Sequence, residues 1–260
     1  MIRKLLTAVF PALFLSSIAV GGVVLELESR DLPDGKVVTG HLFAQGEMLR
    51  IDTGKQADPT VIFRDESLVI LNDRDRTYSR VDEQQAQALG AQLSNMVRQM
   101  KEHLDSLPAE QREMAESMMK GRSPAEGSST DVQIEPAGSE KIGEYSCQKY
   151  VIYQDGKKVG ELFTAPVEAA GESMEAFHAM ARFTTKLLQS FRNTPLAELG
   201  NHPLRLLDQV DGFPILSREF RDGAVVRETT LKSVVEKDLD AALFAPPDGY
   251  TQIDLLFMRR

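Results

Sequence analysis

The sequence predicts an α+β fold in which an antiparallel β-sheet carries helical excursions packed on one face. Short runs of β-forming residues, separated by turn residues, dominate both ends of the chain, and two stretches between them space their apolar residues as helices do. The connections between successive β-runs are too short to hold crossover helices, so neighbouring strands are expected to be antiparallel. Together these observations indicate a sheet of roughly eight to eleven strands.

The first part of the sheet is predicted to be a meander of short strands. Tight-turn residues such as Asp34-Gly35, Gln45-Gly46 and Asn72-Asp73 separate the β-runs. Such pairs suit short hairpin loops between antiparallel neighbours. The predicted strands cover residues 23–29, 37–44, 48–52, 60–63, 68–71 and 77–81.

A helical insertion is expected at about residues 83–120. Its apolar residues recur every three or four positions, which places them on one face of an amphipathic helix. The helix restarts at Leu107-Pro108, because Ser106 can cap a new first turn and proline is tolerated there. Residues 121–130, rich in Ser, Gly and Pro, are predicted to form a flexible linker. The apolar positions of the first helix are Leu89, Leu93, Met96, Val97, Met100, Leu104 and Leu107.

The second part of the sheet follows the linker and is interrupted by a second helix. Asp155-Gly156 and Asp222-Gly223 each predict a hairpin turn. Helical spacing returns over residues 173–193, through apolar positions that include Phe177 and Phe183. The predicted strands are residues 132–135, 147–154, 158–164, 214–220 and 225–235.

The amino terminus has the three parts of a secretory signal peptide, which we assign to residues 1–19. Arg3 and Lys4 supply the positive start, an apolar run follows, and Ser17-Ile-Ala19 supplies small residues at the cleavage spacing. Cleavage is expected after Ala19 or Gly21. The alternative is an uncleaved anchor, since about 20 apolar residues can span a bilayer. The expected location is the periplasm.

The chain is acidic and contains a single cysteine. The formal charge is −9, and the leader contributes two of the positive charges, so the remaining chain carries −11. This charge disfavours nucleic acid and anionic lipid headgroups as partners. Cys147 has no second cysteine to pair with, and a small side chain buried in a strand is the expected role.

Several turn and core-strand motifs extend over most of the chain beyond the leader. They are Met48-Leu-Arg-Ile-Asp52, Leu68-Val-Ile-Leu71 leading to Tyr78, Leu107-Pro-Ala-Glu-Gln-Arg112 with Met118-Met119, Gly143-Glu-Tyr-Ser-Cys147 with Tyr150, Asp211-Gly-Phe-Pro214 and Phe244-Ala-Pro-Pro-Asp-Gly-Tyr250. In these motifs the sequence resembles an uncharacterised family of exported bacterial proteins, a domain of unknown function. That family is similar in fold to the LolA/LolB-like lipoprotein carriers.

The resemblance implies that residues 20–260 form one LolA-like α+β domain. Carriers of this fold use a strongly curved antiparallel half-barrel, closed on one side by helices, to hold acyl chains in an apolar cavity. By this resemblance the two helical regions would line or plug the concave face. The insertion at residues 83–130 is longer than a simple lid.

No motif in the sequence carries recognisable catalytic or metal-binding chemistry. The four histidines, His41, His103, His178 and His202, are too widely spaced for a zinc site. There is neither a Gly-x-Ser-x-Gly elbow nor a glycine-rich phosphate loop. We therefore expect no enzyme activity, no metal and no cofactor.

Methionine is the one residue type whose pattern allows a functional interpretation. Met96 and Met100 are four residues apart, as are Met114 and Met118. Three interpretations remain open: core packing, an adaptable lining for a flexible apolar ligand, or copper(I) binding by thioethers. For the ligand interpretation, the expected lining residues are Met96, Met100, Leu104, Met114, Met118, Phe177 and Phe183.

The sequence favours a non-enzymatic binding or carrier protein of the cell envelope. Its ligand would be apolar, such as a lipid or an acylated protein, and burying an acyl chain contributes about 0.8 kcal/mol per methylene. The alternative is a structural or interaction protein of the periplasm, with a filled core and a protein partner. No stable membrane span is expected after cleavage.

Overall fold

The computed structural model describes residues 21–54, 59–108, 111, 132–171, 175–189 and 209–254. Twelve strands and two α-helices lie in these ranges. The strands are β1 (Val23–Asp31), β2 (Val37–Gln45), β3 (Met48–Asp52), β4 (Thr60–Arg64), β5 (Ser67–Asn72), β6 (Thr77–Val81), β7 (Val132–Ile142), β8 (Tyr145–Gln154), β9 (Lys157–Ala165), β10 (Phe213–Arg221), β11 (Ala224–Glu236) and β12 (Thr251–Gln252). The helices are α1 (Glu83–Asp105) and α2 (Glu175–Gln189), and 3₁₀ turns cover Val167–Ala170 and Ala241–Phe244.

All twelve strands belong to one sheet, in the order β12-β6-β5-β4-β3-β2-β1-β11-β10-β9-β8-β7. Two meanders, β1 to β6 and β7 to β11, lie side by side and meet where β1 pairs with β11. Every pairing is antiparallel except the short one between β12 and β6. The predicted fold class is confirmed: the sheet is antiparallel, curved and unclosed, and it carries helices.

Two-residue turns set the register of several hairpins. Asp155 and Gly156 have φ angles of 51° and 74°, and Asp222 and Gly223 have φ angles of 52° and 79°. Positive φ at both central positions is the geometry whose twist matches that of the flanking strands. The two Asp-Gly pairs therefore join β8 to β9 and β10 to β11, as predicted.

The start of α1 is fixed by its capping residues. The side chain of Asp82 accepts a hydrogen bond from the backbone N–H of Gln85 at 2.8 Å, and the Gln85 side chain accepts one from the backbone N–H of Asp82 at 3.1 Å. This reciprocal pair satisfies two backbone donors that would otherwise lack partners. The helix begins at Glu83, where the change in spacing predicted it.

The largest apolar cluster, here called the main core, lies between the sheet and α2. Phe183 of α2 contacts Phe63 of β4, with ring centroids 5.7 Å apart, and Phe177 contacts Phe213 of β10 at 5.1 Å. Those two strands are five strand spacings apart, about 24 Å in a flat sheet. The two helix residues are separated by only about 9 Å along the helix axis. Curvature of the sheet around α2 accounts for both contacts.

A second, smaller cluster covers the opposite face of the first meander. Ile62 belongs to this outer cluster, whereas its neighbour Phe63 belongs to the main core, as the alternation of strand side chains requires. Leu239 and Phe244 complete the outer cluster from the segment after β11. Arg64 Nη1 donates a hydrogen bond to the carbonyl oxygen of Phe244 at 3.2 Å, which helps to hold this segment on the sheet. The sequence pattern did not predict this packing.

The structure differs from the predicted elements at β12, an unpredicted strand that brings the count to twelve rather than eight to eleven, and at β7. This strand was predicted to end at Glu135, before Pro136 and Gly138, but it continues to Ile142. The register between β7 and β8 shifts at a bulge between Pro136 and Ser139. Because β7 is an edge strand, a proline is tolerated in it. The predicted leader, the second helical segment and the linker lie outside the described residues. Neither described α-helix is long and apolar enough to cross a membrane.

We predict that Phe244→Ala destabilises the protein, because the Phe244 side chain is fully buried in the outer cluster. The expected loss in the free energy of unfolding is about 3 to 5 kcal/mol, measured by urea denaturation. Val235→Ala is the control, since Val235 is 51% exposed and its change should stay within about 0.5 kcal/mol. Equal effects of the two substitutions would contradict a packed outer face.

Candidate functional site

A groove of about 590 Å³ lies between α1, β6 and the chain just after β12. The carboxyl-terminal strand is held against β6 by hydrogen bonds from Ile253 N–H to the Tyr78 carbonyl at 2.8 Å and from Ser79 Oγ to the Ile253 carbonyl at 2.8 Å. The chain held by these bonds forms one side of the groove, and α1 forms the other. The groove is lined by Arg80, Val81, Gln85, Ala88, Leu89, Gln92, Gln252, Ile253 and Asp254.

The lining of the groove is mixed in character. Val81, Leu89 and Ile253 provide apolar surface, together with one alanine, and the remaining side chains are amides or charges. Nowhere in the described part of the chain do three potential metal ligands cluster. The volume lies within the range of about 300 to 1,000 Å³ that is typical of small-ligand sites. Such a lining suits an amphiphilic ligand.

The apolar face of α1 continues away from the groove and is poorly covered. Ala86 and Gly90 are buried, but no described side chain of α1 after Gly90 is buried. Met96 is 58% exposed and Met100 is 43% exposed. Large apolar side chains exposed next to a groove are typical of a surface that binds a partner or ligand.

The structure separates the predicted lining residues into two groups. Met96 and Met100 lie on the exposed part of α1, and Leu104 is half-buried near its end. Phe177 and Phe183 are buried in the main core, where they contact strands rather than a cavity. Met114 and Met118 lie outside the described residues. A single lining formed by all seven residues therefore remains a prediction.

The groove itself was not predicted from the sequence. Leu89 was recognised as an apolar helix position, but Arg80, Gln85 and Gln92 carry no sequence signal. Their role depends on the pairing of the carboxyl-terminal strand with β6, a contact between residues more than 170 positions apart. No local pattern could reveal that contact.

The sequence also did not predict a charge cluster around the buried carboxylate of Glu161. The Glu161 carboxylate on β9 lies 2.8 Å from Lys158 Nζ, 2.9 Å from Lys149 Nζ and 3.4 Å from Arg218 Nη1. Burial alone would raise the pKa of Glu161, but the hydrogen bonds and charges of the two lysines outweigh it and lower the pKa to about 2.

This charge cluster has the properties of a structural ion-pair network. A carboxyl group with a pKa of about 2 is ionised at neutral pH and is poorly placed to donate or accept protons in catalysis. Lys149 also lies over the Phe163 ring, 5.1 Å from its centroid, and Arg218 is paired with Glu228 at 2.9 Å. The cations around Glu161 therefore have carboxylate and aromatic partners.

Cys147 occupies a buried position on β8. Its side chain is 1% exposed, and burial raises the pKa of its thiol. A protonated, inaccessible thiol is unreactive. The predicted role as a small buried side chain is confirmed.

The described residues form a one-sheet α+β fold with an open, curved sheet and a groove beside β6, near the sheet edge formed by β12. The chain belongs to the family described as "Domain of unknown function (DUF4412)", which matches residues 88–250. This match confirms the resemblance to an uncharacterised family. No curated protein matches the sequence.

Several solved structures are similar in fold at low sequence identity. An uncharacterised conserved protein from Thermus thermophilus has 9% identity and a TM-score of 0.44, over 90% of this chain and 91% of that chain. A MucA/MucB complex from Pseudomonas aeruginosa has 9% identity and a TM-score of 0.35, over 87% and 56%. A LolA superfamily protein from Nitrosomonas europaea has 8% identity and a TM-score of 0.24, over 86% and 89%. None of these similarities bears on what the chain binds.

We predict that Glu161→Gln lowers the free energy of unfolding by about 2 kcal/mol at pH 7, because it removes charge-assisted hydrogen bonds. The pKa of Glu161 is depressed in the folded protein, so its contribution is present above the ordinary value of 4.5 and is lost as the pH falls towards about 2. Urea denaturation at several pH values should show the difference between the two proteins shrinking over that window.

The control for this prediction is Glu140→Gln, an exposed carboxylate on β7. Its difference from the wild-type protein at pH 7 should be small, because the side chain is exposed. A Glu161→Gln difference that stayed constant between pH 7 and pH 2 would show that the carboxylate charge contributes nothing.

Proposed function

We propose that this chain is an exported, non-enzymatic binding or carrier protein that holds an apolar ligand in the cell envelope. The observation that carries the proposal is the apolar face of α1, which lies exposed at Met96 and Met100 beside the groove. The ligand class is a lipid or an acylated protein. Residues 1–19, with their signal-peptide pattern, support export to the periplasm.

The energetics favour a flexible apolar ligand at this face. Burying a methionine side chain contributes about 1.5 to 3 kcal/mol, and Met96 and Met100 lie on the same side of the helix, four residues apart. Methionine side chains adjust easily to ligands of different shape. An acyl chain lying along α1 would cover both thioethers without any cofactor.

A second candidate function is binding to an envelope protein through the same surface. The observation that favours it is the filled concave face, where Phe177, Met180 and Phe183 are buried between α2 and the sheet. In that case the exposed face of α1 would pack against a partner helix or loop. The sheet would then serve as a rigid scaffold.

Native mass spectrometry with lipid extraction distinguishes the two candidates. The protein would be purified gently from its own envelope, with no added lipid. A reproducible added mass that extracts as lipid or acyl chain supports the carrier function and identifies the ligand class. A bare polypeptide mass, in a sample that also takes up no fluorescent fatty acid, would reject it in favour of a protein partner.

We predict that Met96→Asp and Met100→Asp each weaken the binding of cis-parinaric acid, a fluorescent fatty acid, by about tenfold or more. A charge at either position removes the apolar contact and disfavours burial. Fluorescence titration gives the Kd. Gln99→Asp is the matched control, because it adds the same charge at an exposed polar position of α1 and should change the Kd by less than about twofold. Equal weakening by all three variants would indicate a charge effect without an apolar site.

A further inference from the structure

Arg80 places a guanidinium in the lining of the groove. It lies on β6, shortly before α1 begins, and its side chain is exposed. Within the described part of the chain, no carboxylate is paired with this guanidinium. A guanidinium has five N–H donors and no acceptor, and it stays charged at neutral pH. The groove therefore contains a cation whose donors are available to a ligand.

Two glutamine amides in the lining are oriented by hydrogen bonds to their oxygens. Gln85 Oε1 accepts the backbone N–H of Asp82 at 3.1 Å, as part of the cap of α1. Gln252 Oε1 accepts a hydrogen bond from the Tyr78 hydroxyl at 3.3 Å. In each amide the oxygen is engaged, which leaves the two N–H donors of the nitrogen for other partners. The polar part of the groove is therefore rich in donors.

The charges of the lining favour an anion with a single charge. A carboxylate has two oxygens that match the fork of a guanidinium, which can donate two parallel hydrogen bonds to it. Asp254 also lines the groove, and its negative charge opposes a phosphate monoester, with about −1.5 to −2 charges, more than a carboxylate. The net charge of −9 disfavours a broad anionic surface, whereas one bound carboxylate interacts mainly with the groups next to it.

The surface next to these donors continues along α1 to the exposed methionines. Ala88 and Gln92 line the groove, and Met96 and Met100 follow at the same spacing of four residues. Residues four apart are neighbours on a helix, so these four side chains form one row. An acyl chain whose carboxylate lies at Arg80 would begin beside this row and could follow it to both thioethers.

We infer that the groove binds a free fatty acid, with its carboxylate on Arg80 and the amide donors of Gln85 and Gln252, and with its tail along α1. This inference rests on the proposed function, since it names the ligand class of the same site. It separates a free fatty acid from an acylated protein, because an acyl group linked to a protein has no free carboxylate. The donors select the head of the ligand, and the apolar row binds its tail.

Fluorescence titration with cis-parinaric acid and with its methyl ester distinguishes head from tail. The two probes share one tail, and only the acid carries a carboxylate. The wild-type protein should bind the acid about tenfold more tightly than the ester. Arg80→Gln should abolish this difference by weakening the binding of the acid, and its unchanged ester binding would show that the variant is folded. Arg80→Lys keeps the charge without the planar fork, so its affinity for the acid should be intermediate.

Arg221→Gln is the matched control for Arg80→Gln. It removes the same charge from an exposed position on β10, which is seven places from β6 in the order of the strands. Neither Kd should change by more than about twofold. Equal binding of acid and ester by the wild-type protein would overturn the inference and leave the proposed function standing. Binding of neither probe would reject the proposed function, and the inference with it.

Competition against bound cis-parinaric acid separates a carboxylate from a phosphate. Laurate, dodecyl phosphate and dodecanol have alkyl chains of nearly equal length and differ in their head groups. Laurate should displace the probe at the lowest concentration and dodecanol at the highest, by about tenfold. Displacement by dodecyl phosphate at a lower concentration than laurate would overturn the assignment of a carboxylate.

Discussion

The pairing of β1 with β11 holds the two halves of the sheet together. These strands come from opposite ends of the chain, and they run antiparallel from Val23 opposite Glu236 to Asp31 opposite Arg227. Without this pairing the two meanders would have separate edges and no shared face for α2. The curved surface that holds the main core exists only because the two meanders are continuous.

The contacts along this pairing change from apolar to polar. Val23 and Leu25 are fully buried in the main core at one end. At the other end Arg227 Nε lies 2.7 Å from an Asp31 carboxylate oxygen, and Ser29 and Thr229 share a hydrogen bond at 2.9 Å. Exposed ion pairs contribute only about 0 to 1 kcal/mol. The buried aliphatic residues therefore supply most of the stabilisation, and the polar pairs fix the register.

Local features of the fold were predictable, because they depend on neighbouring residues. The six strands of the first meander lie within one or two residues of their predicted ends, since alternation and turn residues act over short distances. The start of α1 was predictable for the same reason. At β7 the local pattern was misleading. Pro136 predicted the end of the strand, but β7 lies at the edge of the sheet, where a proline is tolerated.

Long-range contacts decided the features that the sequence did not predict. The pairing of β12 with β6, the packing of Phe244 on the outer face and the ion pairs of Glu161 all join residues whose proximity no spacing rule reveals. The groove is built from the first of these contacts. Of the predicted lining residues that the structure describes, those on α1 are exposed or half-buried and those on α2 are buried. The period of a helix identifies an apolar face but not what covers it.

The two helices have different relations to the core, and this difference bears on function. Removal of α2 would expose the main core, because Phe177, Met180 and Phe183 fill it. Among the residues of α1 whose burial is described, those that are buried, Ala86 and Gly90, lie in its first part. A segment with few buried apolar side chains opens at a lower cost in free energy than a packed core. For the proposed site this means that binding along the exposed face of α1 would leave the main core intact.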